Sequence, residues 1–139
     1  MKDIKQGLGI WQIINSNIVT DIIAKSGFDL TLLDLEHGLH TPESIQDCVF
    51  AAKLNSLFTI ARIPCKSFQY IVQVIDTGID AILFPHIENN DQINKISITE
   101  SRVFINGPSG SGKELIARKI HKLSKRNKNS FVVLNGALL

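Results

Sequence analysis

Short apolar runs recur along the first 90 or so residues at a spacing of about 25 residues, and this repeat constrains the fold most strongly. The runs are short and rich in β-branched or aromatic residues, which favours buried strands over helices. They cover residues 8–11, 30–34, 58–62 and 81–84. Strands that alternate with helical patterns at this spacing predict βαβ units and a parallel sheet.

The gaps between the runs carry helix signals. A helix is expected over 17–25, and another over about 42–55 with Thr41 as its N-cap and a proline in its first position. A third is expected over 67–77, and a further helix begins near Asn89. Four βα units therefore account for the chain to about residue 95.

Length and charge indicate that two different pieces are joined. The chain has 139 residues, whereas a complete eight-fold βα barrel needs roughly 200 or more. Residues 1–99 hold 7 Lys+Arg against 11 Asp+Glu, while residues 100–139 hold 8 against 2. Such an asymmetry between halves predicts a boundary, and the overall charge of +2 describes neither part.

Other features exclude several classes of protein. Cys48 and Cys65 fit no zinc or redox spacing and are interpreted as small apolar residues in a reducing compartment. The N-terminus does not resemble a signal peptide, and no apolar stretch is long enough to span a membrane. A cytoplasmic protein without a membrane partner is expected.

Polar residues at the ends of the predicted strands suggest a site. Asp34 and His37 follow the second strand and Arg62 ends the third, and in parallel βα folds these ends face the ligand. A carboxylate three residues from an imidazole can orient it, and an arginine fork suits a carboxylate or an enolate. The alternative is a loop histidine beside a structural ion pair. His40 and His86 are interpreted as surface or loop residues.

These residues resemble the class II HpcH/HpaI aldolase family over roughly residues 5–90. The matching pieces are Gly9-Ile10-Trp11, Asp34-Leu35-Glu36-His37-Gly38, Arg62-Ile63-Pro64, and Asp76-Thr77-Gly78 leading into Phe84-Pro85. The resemblance implies a TIM barrel that makes or breaks a carbon–carbon bond next to a pyruvate unit. It implies His37 as general base oriented by Asp34, Arg62 as contact of the pyruvate carboxylate or enolate, and Glu36 close behind the site.

The same resemblance implies a divalent metal, Mg or Mn, that holds the oxo-acid substrate. The family's metal ligands come from strands beyond the fourth, and no matching segment is found here. No metal ligand is therefore assigned, and aldolase activity from this chain alone is not expected.

A phosphate-binding motif follows a fifth apolar run, over residues 101–106. It has the Walker A spacing of glycine, four residues and Gly-Lys, between a strand and a helix. The cofactor-binding residues predicted from it are Gly107, Pro108, Ser109, Gly110, Ser111, Gly112, Lys113 and Glu114. Backbone amides would surround phosphates and Lys113 would contact the terminal ones. The alternative is a flexible Gly/Ser turn.

Residues 101–139 resemble the sigma-54-interaction AAA+ ATPase domain of bacterial enhancer-binding regulators. The resemblance runs from Val103 through the loop to Phe131-Val132-Val133-Leu134-Asn135-Gly136. Glu114 after the lysine is this family's own pattern, whereas Pro108 departs from it. ATP with Mg is implied as cofactor, and a second strand is expected near 131–134. The basic residues after Arg118 are interpreted as a solvated helix face and not as a nucleic-acid site.

The resulting prediction is an α/β protein in which half of a TIM barrel precedes a strand–P-loop–helix–strand of a P-loop NTPase. The expected division is a truncated aldolase over 1–92, a junction over 93–100 and a truncated ATPase segment over 101–139. Three hypotheses remain open: an aldolase relative with an incomplete site, an ATP-binding fragment of a transcription regulator, and a gene fusion without function. Intact relatives are expected to be oligomers.

Overall fold

The structure is a computed structural model that describes residues 7–64, 67–85, 87, 89–99, 102–105, 108 and 110–133. Within these residues strands and helices alternate along the chain. The strands are β1 (Gly9–Gln12), β2 (Leu30–Asp34), β3 (Phe58–Arg62), β4 (Ala81–Leu83) and β5 (Arg102–Phe104). The helices are α1 (Asn17–Lys25), α2 (Ile45–Leu54), α3 (Phe68–Asp76), α4 (Asn90–Ser97) and α5 (Lys113–Leu123).

The strands form one parallel sheet whose spatial order, β1-β2-β3-β4-β5, is also their order in the chain. Each crossover therefore moves one strand further in the same direction, and right-handed crossovers place the connecting helices on one face. A barrel wall is built in this way, whereas a doubly wound sheet reverses direction and covers both faces. All strand carboxyl ends lie at one edge of the sheet, which we call the carboxyl edge.

The main hydrophobic core lies between the sheet and its helices. Buried members from the strands and helices include Leu33, Ala61, Ile82, Val49, Ile71 and Ile96. Alternate strand residues point to the opposite face, where Ile60, Ala81 and Leu83 form a smaller cluster. This alternation follows from the two-residue period of a strand and fixes which residues the carboxyl edge can present.

The predicted half barrel is confirmed in its architecture. The four apolar runs are β1 to β4, each within two residues of its expected limits, and the predicted strand over 101–106 is β5. The helix expected near Asn89 is α4, and Asn89 caps it: its side chain accepts from the Gln92 amide at 3.0 Å, while Gln92 Oε1 accepts from the Asn89 amide at 3.3 Å. Local sequence signals were therefore enough to place these elements.

The start of α2 differs from the expectation, because the regular helix begins at Ile45 and not at residue 42. Thr41 and Ser44 bond to each other instead: the Thr41 amide donates to Ser44 Oγ at 2.8 Å and the Ser44 amide donates to Thr41 Oγ1 at 3.2 Å. The Ile45 amide still donates to the Thr41 carbonyl at 3.1 Å. Thr41 thus caps a turn that leads into the helix.

A strand was expected near residues 131–134. Of these, residues 131–133 are described, and they lie outside any strand. Phe131 packs on α5 instead, with its ring centroid 5.3 Å from that of His121 and 5.0 Å from the Arg118 guanidinium carbon. In this segment Phe131 contacts helix α5, and the described residues do not pair with the sheet.

None of the helices in the described ranges combines the length and the apolar character needed to cross a lipid bilayer.

Candidate active site at the carboxyl edge

Asp34 and Arg62 meet because the parallel register of β2 and β3 makes them partners at the ends of their strands. Arg62 Nε donates to Asp34 Oδ1 at 2.9 Å, and Arg62 Nη2 donates to Asp34 Oδ2. The amides of Glu36 and His37 also donate to Asp34 Oδ1, at 3.0 and 3.1 Å. A two-point arginine–carboxylate pair of this kind fixes the plane of the guanidinium group.

Burial and hydrogen bonding act in opposite directions on this pair. Asp34 is 2% exposed, and burial alone would raise the pKa of its carboxyl group. The hydrogen bonds from Arg62 and from the two amides, together with the arginine charge, outweigh burial and lower the Asp34 pKa. The hydrogen bond to Asp34 also raises the pKa of Arg62. Both side chains are therefore held in their charged forms.

The rest of the Arg62 side chain is held between an aromatic ring and a second acid. Its guanidinium carbon lies 4.5 Å from the centroid of the Trp11 ring, and its Nε lies 3.5 Å from Glu36 Oε2. Glu36 Oε2 is buried and accepts no hydrogen bond from the described residues. The contacts of Arg62 with Asp34 and Glu36 use Nε and Nη2, which leaves Nη1 for a ligand.

His37 lies at this edge, but its imidazole is not positioned as expected. Asp34 accepts from the backbone amide of His37 and not from the ring. The ring Nε2 lies 3.7 Å from Glu36 Oε2, beyond hydrogen-bond distance, and the side chain is 71% exposed. The three-residue spacing therefore fixes the loop after β2, while the imidazole itself faces solvent.

His40 is a polar core residue that the sequence interpretation placed in a loop or at the surface. It is 4% exposed, and its Nε2 donates to the Gln12 carbonyl at 3.0 Å, while Nδ1 has no partner among the described residues. Burial lowers the pKa of His40, against the opposing effects of the Gln12 hydrogen bond and the Asp34 charge. His40 does lie in a loop, outside any helix or strand, but it is not a surface residue. Its burial depends on the contact with Gln12, which no local sequence signal shows. His86 lies outside the described residues.

Two glycines in the described part of the P-loop have a left-handed backbone. Gly110 and Gly112 both have φ of 79°, a left-handed conformation that glycine adopts without strain. The Lys113 ammonium donates to the Pro108 carbonyl at 2.6 Å, and the Ser111 amide donates to the same oxygen at 3.3 Å. The predicted contacts of Gly107 and Ser109 lie outside the described residues.

Glu114, predicted to bind cofactor, is exposed and pairs within its own helix. Its Oε1 lies 2.8 Å from Arg118 Nη2 and accepts from Arg118 Nε at 2.9 Å. This is a pair between residues four apart on a helix, which stabilises α5 locally. A ligand would have to compete with Arg118 for this carboxylate.

One cavity of about 450 Å³ joins the ends of the barrel strands to the P-loop. It is possible because β5 pairs with β4 in parallel, so that the loop after β5 emerges at the carboxyl edge. Its lining includes Trp11, Arg62 and Phe84 from the barrel-type strands, and Pro108, Ser111 and Lys113 from the loop and α5.

The described residues fit a phosphate group better than a metal ion. A Cβ added at Gly110 or Gly112 would meet nothing within 4 Å, so nothing packs against these two glycines on that side. By contrast, no three His, Cys, Asp or Glu side chains of the described segments lie together as metal ligands. Asp34 and Glu36 both contact Arg62, which lines the cavity.

Two family models match the chain. The model described as HpcH/HpaI aldolase/citrate lyase matches residues 8–109, and the Sigma-54 interaction domain model matches residues 85–139. The two matches overlap over residues 85–109, which include α4 and β5. Solved structures agree on the fold: citrate synthase SbnG has a TM-score of 0.61 at 23% identity, covering 81% of this chain and 48% of that one. An HpcH/HpaI aldolase from Desulfitobacterium hafniense has a TM-score of 0.59 at 17% identity, with the same coverages.

Curated relatives divide in the same way. A hydroxypyruvate/pyruvate aldolase from Roseobacter denitrificans is 32% identical over 88 residues, covering 63% of this chain and 34% of that protein. The nitrogen assimilation regulatory protein NtrX from Azorhizobium caulinodans is 51% identical over 47 residues, covering 34% of this chain and 10% of that protein. The chain thus spans about a third of the matched aldolase and a tenth of the regulator. It belongs to the HpcH/HpaI aldolase/citrate lyase family, and in it an aldolase-family segment is joined to a segment of a sigma-54 interaction domain.

Proposed function

We propose that the carboxyl edge binds a small 2-oxo acid of the pyruvate type, with Arg62 as the contact of its carboxylate. The observation that carries this is the fixed guanidinium of Arg62: Asp34 and Trp11 hold it in place while it lines the cavity with Nη1 outside these contacts. Arginine recognises carboxylates through paired N–H donors. The similarity to the hydroxypyruvate/pyruvate aldolase of Roseobacter denitrificans supports the same substrate class.

His37 is proposed as the base that removes a proton from the carbon next to the oxo group. Its imidazole is exposed at the same edge, and an imidazole can accept a proton near neutral pH. Arg62 then stabilises the negative charge on the enolate oxygen or carboxylate. Proton exchange and carbon–carbon bond cleavage pass through the same enolate, and a divalent metal, where bound, would draw electrons from the oxo group in either reaction. The described residues hold no group of three metal ligands. The chemistry proposed for this segment is binding of the oxo acid and proton exchange at the carbon next to its oxo group.

Exchange of the pyruvate methyl protons in D₂O, followed by proton NMR, tests this proposal. The unmodified chain should accelerate exchange above the rate in buffer. His37→Gln should remove this acceleration while pyruvate still binds. Arg62→Lys should weaken pyruvate binding about tenfold or more, as expected for loss of a charged hydrogen bond. Arg118→Lys, which changes an exposed arginine on α5, serves as control. Absence of pyruvate binding by titration calorimetry would contradict the proposal.

A second function is favoured by a separate observation, the open left-handed glycines next to Lys113. We propose that this loop binds the phosphates of ATP with Mg, through the backbone amides near Gly110 and Gly112 and the ammonium of Lys113. The N-terminus of the eleven-residue helix α5 adds a partial positive charge. The Lys113 ammonium would exchange the Pro108 carbonyl for a phosphate oxygen.

Titration calorimetry with Mg-ATP tests the second function. Lys113→Ala should lower the affinity at least about tenfold, as for loss of a charged hydrogen bond to phosphate. Lys122→Ala removes the same charge from an exposed position on the same helix and should leave the affinity within about twofold. Equal losses in the two variants would show only a general charge effect and would contradict a P-loop site.

A further inference from the structure

The cavity at the carboxyl edge brings together two cations that lie on different segments of the chain. Among its described lining residues the charged side chains are Arg62, at the end of β3, and Lys113, at the start of α5. No acidic side chain is among those lining residues. Asp34 and Glu36 contact Arg62 but are not part of the lining. A ligand in this cavity therefore meets a guanidinium group and an ammonium group, and these favour anionic groups.

The two cations favour different anions. The planar fork of Arg62 is held by Asp34 and stacked near Trp11, which suits a planar carboxylate. Lys113 is a point charge beside a loop with Gly110 and Gly112 in left-handed conformations, and successive loop amides form concavities for a tetrahedral phosphoryl group. The cavity is thus asymmetric in the anions it prefers.

Size and lining point to one small ligand. The volume of about 450 Å³ is at the lower end of the range for small-molecule sites. Most of the other described lining residues are apolar, among them Phe84, Ile105 and Ile116. One molecule that carries both anionic groups binds its second group at a high effective concentration, an advantage that two separate anions do not have.

We propose that this cavity binds a small carboxylic acid that carries a phosphoryl group, with its carboxylate on Arg62 and its phosphoryl group on Lys113 and the neighbouring loop. This rests on the proposed function of Arg62 as a carboxylate contact and adds the second half of the ligand. The site belongs to neither segment alone. It exists because β5 pairs beside β4 and delivers the loop to the edge where Arg62 lies.

The test compares three probes that differ in one anionic group each. Titration calorimetry of the full chain is carried out with 3-phosphoglycerate, with D-glycerate, which lacks the phosphoryl group, and with glycerol 3-phosphate, which lacks the carboxylate. 3-Phosphoglycerate should bind at least about tenfold more tightly than either partial ligand, because the second contact is intramolecular. This comparison uses the unmodified chain and does not depend on the folding of any variant.

Variants then assign each group to its contact. Lys113→Ala should reduce the affinity for 3-phosphoglycerate to about that for D-glycerate, and Arg62→Lys should reduce it to about that for glycerol 3-phosphate. Lys122→Ala is the matched control and should retain the preference. Far-ultraviolet circular dichroism of each variant establishes that it is folded before its affinity is compared.

Two outcomes would overturn the inference, and they differ in what they say of the proposed function. If pyruvate binds but 3-phosphoglycerate binds no more tightly than the better of D-glycerate and glycerol 3-phosphate, Arg62 remains a carboxylate contact and the joint site is refuted. If pyruvate, D-glycerate and 3-phosphoglycerate all fail to bind, the proposed role of Arg62 fails together with the joint site.

Discussion

The barrel-type region, residues 7–85, and the loop region, residues 102–133, differ in how they are held in place. Each helix of the barrel-type region buries at least two residues, and β2, β3 and β4 are largely buried. In the loop region α5 has no buried residue and β5 is exposed on alternate positions. The two regions therefore share one sheet but contribute very unequally to its core.

The described part of the loop region is attached to β4, to α4 and to the edge of the main core. β5 pairs with β4, Ile120 and Val103 pack against the main core, and Lys119 Nζ donates to Asn90 Oδ1 at 2.5 Å. A segment with few buried apolar contacts opens locally at low free-energy cost. The two cations of the cavity therefore lie on segments of different local stability. Arg62 belongs to the well-buried barrel-type region, and Lys113 belongs to the more exposed loop region.

The strongest test of this contrast is the removal of an arginine from each region. Arg62→Met leaves the buried carboxylate of Asp34 without its partner, and the expected loss in free energy of unfolding is about 3–5 kcal/mol. Arg118→Met breaks an exposed pair with Glu114 on α5, and the expected loss is at most about 0.5 kcal/mol. Urea denaturation followed by circular dichroism measures both.

The double variant Asp34→Asn with Arg62→Met serves as control, since it removes both charges. It should be more stable than Arg62→Met alone, because the buried charge of Asp34 is removed together with that of its arginine partner. Losses of similar size for Arg62→Met and Arg118→Met would contradict the contrast between the regions.

Truncation of an apolar side chain should also lower the free energy of unfolding much more in the barrel-type region than in the loop region. Ile71 of α3 is fully buried in the main core, whereas Leu115 of α5 is 74% exposed. Ile71→Ala is expected to cost about 2–5 kcal/mol because it removes buried methyl groups and leaves a cavity. Leu115→Ala should stay within about 0.5 kcal/mol. A large loss for Leu115→Ala in urea denaturation would show that α5 buries this side chain in solution.

Sequence reasoning was most successful where local signals and burial agree. The apolar runs and their spacing located β1 to β4, and the strand ends placed Asp34 and Arg62 at one edge before any register was known. It was less successful where contacts between distant segments decide. The burial of His40 against Gln12, and the packing of Phe131 on α5 in place of a strand, both depend on partners that the local pattern does not contain.

The cavity shared by the two regions also lay beyond sequence reasoning. The motif around Lys113 predicts a phosphate loop, and Arg62 predicts an anion contact, but only the pairing of β5 with β4 places both at one cavity. Either motif could have been interpreted correctly without any indication that the two share a ligand site.

A smaller effect is expected at the helix that joins the two regions. Asn89 caps α4 through reciprocal hydrogen bonds with Gln92, and Asn89→Ala should cost about 1 kcal/mol in urea denaturation. Asn94→Ala makes the same change at an exposed position inside α4 and should stay within about 0.5 kcal/mol. Because α4 packs beside α5, hydrogen exchange in α5 should also become faster in Asn89→Ala only. Unchanged exchange there would show that α5 does not depend on α4.

The smallest expected effect is a change in the pH dependence of stability, which separates two buried groups of the barrel-type region. Burial lowers the pKa of His40 in the folded chain, so the folded state binds its proton less readily than the unfolded state, where the pKa is about 6.5. Stability from His40 is therefore complete above about pH 6.5 and is lost as pH falls toward the lowered pKa. The Asp34 pKa is also lowered, and its contribution is lost only below about pH 4.

His40→Gln retains an N–H donor for the Gln12 carbonyl but removes the titrating ring. In urea denaturations from pH 8 to pH 3, the unmodified chain should lose stability in both windows, whereas His40→Gln should be flat between about pH 7 and pH 5 and lose stability only near pH 4. A variant that keeps the loss between pH 7 and pH 5 would show that another group titrates there. The buried imidazole of His40 would then contribute nothing to the pH dependence of stability in that window.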